Sequence, residues 1–177
     1  NEERNFHERD LIVDEYHAIS DSTYKQLRNL TNKKINNIPF WLNTELWHQI
    51  EDKKLNRNSF NIPVESFVVG SFQRDTEGSD LKSPKLSKGP DQFFEIIKNL
   101  NLKQKNLLVL LTGKRRQYII EKLKEEEIDY LYFEMVDFNL LNKLYNCLDL
   151  YIVASRVEGG PASLMECASI KIPIIST

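Results

Sequence analysis

The stretch DLYIVASRVEGGPASLMECASIKIPIIST, Asp149 to Thr177, decides the fold. Leu150–Ala154 is a short apolar run with β-branched members, which suits a buried strand. Ser155–Gly160 is a polar turn ending in Gly-Gly. Pro161 fits the first turn of a helix, where its missing N–H costs nothing. Ala162–Ile170 continues that helix, and Ile172–Ser176 is a second buried strand. Two carboxylates, Glu158 and Glu166, stand eight positions apart, one in the loop before the helix and the other about one turn into it.

Working outward, the same alternation runs back to Val64. Phe67–Gly70, Asn106–Thr112 and Tyr130–Phe133 are apolar runs that read as strands. Between them Pro90–Leu100, Tyr118–Glu127 and Phe138–Cys147 carry helical apolar stripes, such as Phe93, Phe94, Ile96, Ile97 and Leu100. Continuous rather than alternating apolar strands belong to a parallel sheet covered on both faces. The predicted fold is therefore α/β, a Rossmann-like doubly wound parallel sheet. Ligands of such sheets bind at the carboxyl ends of the strands. The loops to read are Ser71–Gly89, Gly113–Arg116, Met135–Asn139 and Ser155–Gly160.

The segment before Val64 is different in character. Asn1–Arg9 is charged and reads as frayed. Leu11–Ile19 reads as a strand or strand edge, and Ser20 or Asp21 caps a helix over Ser22–Asn29. Lys33–Ile38 is a strand candidate, Pro39–Leu42 an aromatic loop and Leu46–Lys54 a short helix. Asn56–Pro63 is polar, ends in proline and reads as a linker. Expected divisions are residues 1–55 as the tail of a preceding domain, 56–63 as linker and 64–177 as the binding domain. The chain opens without Met and stops as a strand ends, so the binding domain is expected to be truncated and incomplete at its C-terminus.

Composition bounds the function classes. The 177 residues are 41% apolar and 28% charged, ordinary for a globular chain. A net charge of −2 argues against a general nucleic-acid binder. No apolar run approaches membrane-spanning length, and no secretory signal is visible. Cys147 and Cys167 form no CxxC and read as buried free thiols in a reducing compartment. No His/Cys cluster has metal-ligand spacing. His7, His17 and His48 precede the linker and are not marked as general bases, and Trp41 and Trp47 read as packing residues.

The predicted ligand edge carries several candidates. Gly159-Gly160-Pro161 lets backbone approach a ligand at a helix N-terminus, where phosphate is the natural guest, or makes a tight strand-to-helix turn. Gly70-Ser71-Phe72 lacks a second glycine, and neither a Walker A loop nor GxGxxG occurs. Glu158 and Glu166 suit a vicinal diol, since a carboxylate accepts two hydrogen bonds. For Glu166 a solvated helix position stands beside that reading. Arg74, Lys88 and Lys114-Arg115-Arg116 are cations at the same edge, able to neutralise a diphosphate. For Arg115 and Arg116 solvated loop charge is the preferred reading.

The segment SRVEGGPASLMECASIKIPIIST resembles the E-x7-E signature of retaining glycosyltransferases with the GT-B fold, the family four type. Ser155, Glu158, Gly159, Leu164–Glu166, Ala168, Pro173 and Ile174 match. VVGSFQR and KGPDQFFEI resemble the family's first strand and basic pair, NLLVLLTG its second strand, and LYNCLDLYIVAS the approach to the motif. The resemblance covers Val64–Thr177 and is weaker over Leu11–Leu42. It implies the C-terminal, nucleotide-sugar-binding half of a GT-B fold, with a short N-terminal remnant. Implied catalytic residues are Glu158, on donor-sugar hydroxyls, with Arg74 and Lys88 on the diphosphate. Implied substrate-binding residues are Glu166 on the ribose, Gly159, Gly160, Ala162 and Ser163, Val136 beside the base, and Gly70. The family implies no metal and no cofactor, with a nucleotide-diphosphate sugar as donor substrate. It implies a glycan or lipid-linked acceptor in polysaccharide biosynthesis, held through the N-terminal domain. It further implies a cytoplasmic location at the inner face of the membrane, with peripheral membrane association of the full-length protein. Alternatives on the same architecture are a sugar-nucleotide epimerase, a phosphorylase or a non-catalytic interaction module. Departures from the family pattern are the thirteen residues between Arg74 and Lys88, Pro161-Ala162 near the usual second glycine, and Lys171 where glycine is common.

Overall fold

The computed structural model describes residues 2–177, with side chains from residue 5 onward. Two compact units are present: residues 1–41 with 159–162, and residues 42–158 with 163–177.

The first unit holds α1 (Glu2–Asp10), β1 (Glu15–Ala18), α2 (Asp21–Leu30) and β2 (Lys34–Asn37). β1 and β2 pair in parallel. Ser20 is the N-cap of α2, its hydroxyl accepting from the Thr23 amide at 3.2 Å. The segment expected to fray is helical over Glu2–Asp10, while Asn1 lies outside the described residues. The physical reason is an anchor at the helix end. Asp10 Oδ1 accepts from Tyr16 Oη and Thr31 Oγ1, both at 2.9 Å, and Phe6 stacks on Tyr16 at 5.6 Å. The strand expected from Leu11 begins only at Glu15, and Leu11 and Ile12 form an exposed turn. Trp41, expected to pack, is 82% exposed.

In the second unit, α3 (Lys53–Asn58) leads into β3 (Phe67–Ser71), α4 (Pro90–Asn101), β4 (Leu107–Thr112), α5 (Gln117–Glu125) and β5 (Tyr130–Phe133). α6 (Phe138–Tyr145), β6 (Leu150–Val153), α7 (Ala162–Ile170) and β7 (Ile174–Ser176) follow. All pairings are parallel, in the order β5-β4-β3-β6-β7. The chain thus builds outward from β3 on one side and then from β6 on the other. The reversal point lies between β3 and β6, where doubly wound sheets open a ligand crevice at the strands' carboxyl ends.

Both faces of the sheet are buried, which is why its strands read as unbroken apolar runs. Leu108 and Leu110 of β4 join Val68, Leu144, Tyr145, Tyr151 and Ile170 on one side. Leu107, Val109 and Leu111 join Val69, Phe93, Ile97, Ile119 and Leu123 on the other. Gly70 lies within β3, and a Cβ there would come within 2.4 Å of Leu148 Cδ1. Its smallness serves helix-to-sheet packing.

Two buried arginines correct the sequence reading. α3 straddles the end of Leu46–Lys54, expected as helix, and the start of Asn56–Pro63, expected as linker, and Asp52 caps it by accepting from the Leu55 amide at 2.8 Å. Arg57 is 5% exposed. It donates to the Cys147 carbonyl at 2.9 and 2.8 Å and to the carbonyls of Val64 and Ser66 at 3.0 Å. Its Nη2 pairs with Asp149 Oδ2 at 2.6 Å, and the same oxygen accepts from the Val68 amide at 2.8 Å. Polar composition therefore marks a docked segment here, with its cation satisfied internally.

Arg116, expected in solvent, is 1% exposed. Its Nε lies 2.7 Å from Asp75 Oδ2, an ion pair without the alignment of a hydrogen bond. Nη1 donates to the Ser71 carbonyl at 2.7 Å and also to that of Gln73. Asp75 and Thr76 donate their amides to the Arg115 carbonyl at 3.1 Å, and Lys85 donates to the Asp75 carbonyl at 2.7 Å. Thr76 and Pro84 form a bridge, and Arg115 Nη1 donates to the Gly78 carbonyl at 2.9 Å. The long loop between β3 and α4 is thus a hairpin-like excursion tied at its base.

Each arginine yields a stability test. Burial of Asp149 opposes its ionisation, but Lys53, the Val68 amide and Arg57 together outweigh it and hold its pKa below the ordinary value. Asp149→Ala leaves Arg57 buried without its counter-charge and should cost about 3 kcal/mol in urea unfolding at pH 7. Because the folded pKa is depressed, the ionised carboxylate's contribution is complete above about pH 4 and is lost as pH falls through the folded value. Arg116→Met should cost about 3–5 kcal/mol by stranding Asp75. Burial, opposed by Arg116, already raises the pKa of Asp75. Removing Arg116 raises it further, so that loss should be smallest in acid and grow as pH rises through the folded pKa. Asp75→Asn with Arg116→Met should recover most of the stability. Unchanged stability in both single variants would remove the anchoring role from these pairs.

Candidate active site

The carboxyl ends of β3 and β6 carry the loops that meet at the reversal point. Beyond β6, Ala154 and Ser155 are still buried. Ser155 Oγ lies 2.8 Å from Glu158 Oε1 and 3.0 Å from Gln73 Oε1, and its single proton serves one of them at a time. Gln73 Nε2 donates to the Lys88 carbonyl at 2.8 Å. Lys88 Nζ forms an ion pair with Glu158 Oε1. Four side chains from three stretches of sequence therefore form one network.

Local backbone chemistry holds Lys88 there. Gly89, at φ +60°, sits so close to the Ala154 carbonyl that a Cβ would fall 1.6 Å from its oxygen. Only glycine fits, on both conformational and steric grounds. Pro90 then opens α4. The facing loop is clamped by Arg156, whose amide donates to the Ser87 carbonyl at 3.0 Å. Its guanidinium grips Asp91 with bonds of 2.7 and 2.6 Å, and this pairing with Arg156 lowers the pKa of Asp91.

Arg74 is exposed and has no partner among the described residues. Its neighbours Gln73 and Asp75 are both fixed, so its backbone is held while its side chain stays available. The thirteen residues before Lys88 do not separate the two stretches, because Gln73 binds the Lys88 carbonyl directly.

Glu166 is half-buried on α7, not a solvated position. Its Oε2 accepts from Tyr145 Oη at 2.7 Å. Burial raises its pKa, and the Tyr145 bond acts against that rise. Ser163 lies beside Tyr151, whose hydroxyl accepts from the Phe72 amide at 3.0 Å. Val136 packs partly against the core, next to exposed Met135. Gly70 is interior to β3, behind this edge. Gly159, Gly160 and Ala162 group with the first unit; Gly160 has φ +127° and lies against Phe40.

Sequence reasoning missed Gln73, Asp75, Arg116, Tyr145 and Arg156. Gln73 and Asp75 were legible only as members of a loop following a strand, and Tyr145 read as one more apolar-face residue of α6. A depression of about 550 Å³ is lined by Ser66, Asn106, Leu107, Asp129 and Tyr130. It lies at the amino ends of β3, β4 and β5, away from this network, and the topology favours the other edge.

The arrangement offers exchangeable cations beside carboxylates at a crevice, the chemistry of an anionic, hydroxyl-rich ligand. Residues 82–177 match the family described as Glycosyl transferases group 1. The O-antigen biosynthesis glycosyltransferase WclY of Escherichia coli is 27% identical over 134 residues, which is 72% of this chain and 33% of that protein. The chain thus spans about a third of the length of that curated relative. Sucrose-phosphate synthase from Thermosynechococcus elongatus superposes with a TM-score of 0.73 at 18% identity, over 93% of this chain and 40% of that one. HepE from Anabaena, solved with UDP and glucose, gives a TM-score of 0.71 at 15% identity, over 93% and 44%. The structural likenesses establish the fold, an α/β parallel sheet of GT-B type. With more than half of its residues matched to the family, the chain belongs to the group 1 glycosyl transferases.

Proposed function

We propose that Val64–Thr177 is the nucleotide-sugar-binding part of a retaining glycosyltransferase of the family four type, with the preceding segment the tail of an acceptor-binding domain. The observation that carries the reading is the Lys88–Glu158–Ser155–Gln73 network at the reversal point, with Glu166 on the helix that follows. Lys88 and Arg74 hold the donor diphosphate and stabilise the negative charge that develops on the leaving nucleoside diphosphate. Lys88 leaves Glu158 for the phosphate, and the freed carboxylate takes the hydroxyls of the donor sugar. Glu166 takes the ribose diol, Val136 flanks the base, and the backbone at Ser163 adds a donor to the phosphate. Gly70 contributes through close packing behind the site.

The reaction breaks the bond between the sugar's anomeric carbon and the diphosphate oxygen and forms one to the oxygen of an acceptor hydroxyl, whose proton is given up to the departing nucleoside diphosphate, with configuration retained. No metal or further cofactor is assigned to it. The relative named for O-antigen biosynthesis and the neighbour solved with UDP and glucose support a nucleotide-sugar donor and a glycan or lipid-linked acceptor. No helix among the described residues is long and apolar enough to cross a membrane. We place the enzyme in the cytoplasm, associated peripherally with the inner membrane face where a lipid-linked acceptor would be met.

Calorimetry of the full-length protein with UDP, GDP and ADP tests the reading. One nucleoside diphosphate should bind, and Lys88→Ala should weaken it by about 1.5–3 kcal/mol, the worth of a charge-assisted hydrogen bond. The corresponding nucleoside should be far less affected. Absence of binding by all three, or equal binding by Lys88→Ala, would sink the assignment.

A further inference from the structure

We infer that Tyr145 is a positioning residue for donor recognition: its hydroxyl pins one oxygen of Glu166 so that the other is presented to a vicinal diol. This rests on the ribose reading of Glu166 given above.

The geometry is specific. Tyr145 is 1% exposed, and its ring is held on three sides. Phe72 lies 4.7 Å away, Tyr151 5.6 Å and Trp47 5.7 Å between ring centroids. A ring so confined cannot swing its hydroxyl away without disturbing the core. That hydroxyl donates to Glu166 Oε2 at 2.7 Å, and no other partner of this carboxylate is given by a protein group among the described residues. A glutamate side chain has three rotatable bonds, and an unrestrained carboxylate would sample many orientations. The bond from a rigid donor fixes one oxygen and, through the planar carboxylate, aims the second. Phe72 belongs to the same loop as Gln73, which binds Ser155 and the Lys88 carbonyl. The ring that sets Glu166 therefore packs against the loop that sets the proposed diphosphate cation.

A phenol buried in an apolar cage without a partner would be costly. The contact thus satisfies Tyr145 as well as Glu166, and a purely structural role predicts a stability change alone. Positioning predicts a change in what the site distinguishes.

The test compares Tyr145→Phe with wild type in the full-length protein. Binding is measured for whichever of UDP, GDP and ADP the wild type takes, and for its 2′,3′-dideoxy counterpart. Phe keeps the ring contacts, so the fold should be retained, and melting temperature checks it. Wild type should prefer the ribose form. Tyr145→Phe should lose roughly three- to tenfold of that preference, the scale of one hydrogen bond, with dideoxy binding nearly unchanged. A general loosening would weaken both ligands together and overturn the inference, as would a preference equal to wild type. Tyr145→Phe added to Glu166→Gln should cause no further loss of preference. An additive loss would show that Tyr145 acts elsewhere.

A pH series gives an independent readout. The titrating groups that interact with Glu166 are Tyr145 and Cys167. Burial raises the pKa of both, so each is uncharged in acid and the acid limb belongs to Glu166. Removing the Tyr145 bond takes away a contact that lowers the pKa of Glu166. The ribose preference of Tyr145→Phe should therefore begin to fail at a higher pH than that of wild type, and coincident limbs would count against positioning. If wild type itself does not distinguish ribose from dideoxyribose, the ribose assignment of Glu166 fails and the inference falls with it. Loss of the preference in Glu166→Gln but its survival in Tyr145→Phe sinks the inference alone.

Discussion

A sheet buried on both faces leaves polar function nowhere to go but the ends of its strands. In the second unit Leu107, Leu108, Val109, Leu110 and Leu111 are all buried, alternately against opposite layers. A charged side chain among them would face hydrocarbon without water or partner. The two edges have accordingly become polar, each organised by an arginine that is itself out of solvent. At the amino edge Arg57 gathers three carbonyls and Asp149. At the carboxyl edge Arg116 gathers the backbone beyond β3 and Asp75. A guanidinium suits this work, because its fork of donors can satisfy several carbonyls at once and still pair with a carboxylate.

The carboxyl-edge arginine matters most for the site. It fixes the carbonyls of Ser71 and Gln73, which hold the loop immediately after β3. Gln73 then reaches Ser155 and Lys88, and Arg156 closes the opposite side on Asp91. The Arg156–Asp91 pair is 40% and 36% exposed, so its energetic worth is small and its value is geometric. Gly89 does what no side chain could: it allows the Lys88 backbone to lie against the end of β6. The order of dependence runs from buried strand, to buried arginine, to loop, to the ion-paired lysine.

This order explains what the sequence revealed and what it hid. Unbroken apolar runs such as NLLVLLT and helical stripes such as that of α4 depend on local periodicity, and the five strands and four of the helices of the second unit were legible from it. Glu158, Lys88 and Glu166 were legible as candidates because they stand in loops that follow strands or in the helix behind them. Arg116 was not. Within Lys114-Arg115-Arg116 it looks like any solvated charge, and its burial depends on Asp75, forty-one positions earlier and across the β3–β4 pair. α3 was hidden for the same reason: NRNSFNIP is polar because Arg57 and Asn56 serve distant backbone groups, at Cys147 and Lys143. Asp10 similarly converts an apparently frayed terminus into a tethered, stacked helix. Polar residues whose partners are remote in sequence carry no periodic signal.

In the proposed role, the ion pair between Lys88 and Glu158 has to open when a donor enters. Its side chains are 28% and 20% exposed. That intermediate burial is consequential. A fully buried pair would be costly to break, since each charge would be stranded in low dielectric. A fully exposed pair would hold neither group in place. Between these limits, Ser155 keeps Glu158 oriented while the lysine changes partner, and a diphosphate entering the crevice brings more negative charge than the carboxylate it displaces. Arg74, without a partner among the described residues, needs no such exchange. In this role two cations of different readiness would meet one ligand: Arg74 available at first encounter, Lys88 released only once the phosphate has arrived. The carboxylate freed by that release is left without its cation beside the sugar. Hydroxyl donors of the sugar can then satisfy it, so that binding of the diphosphate and recognition of the sugar become one coupled step.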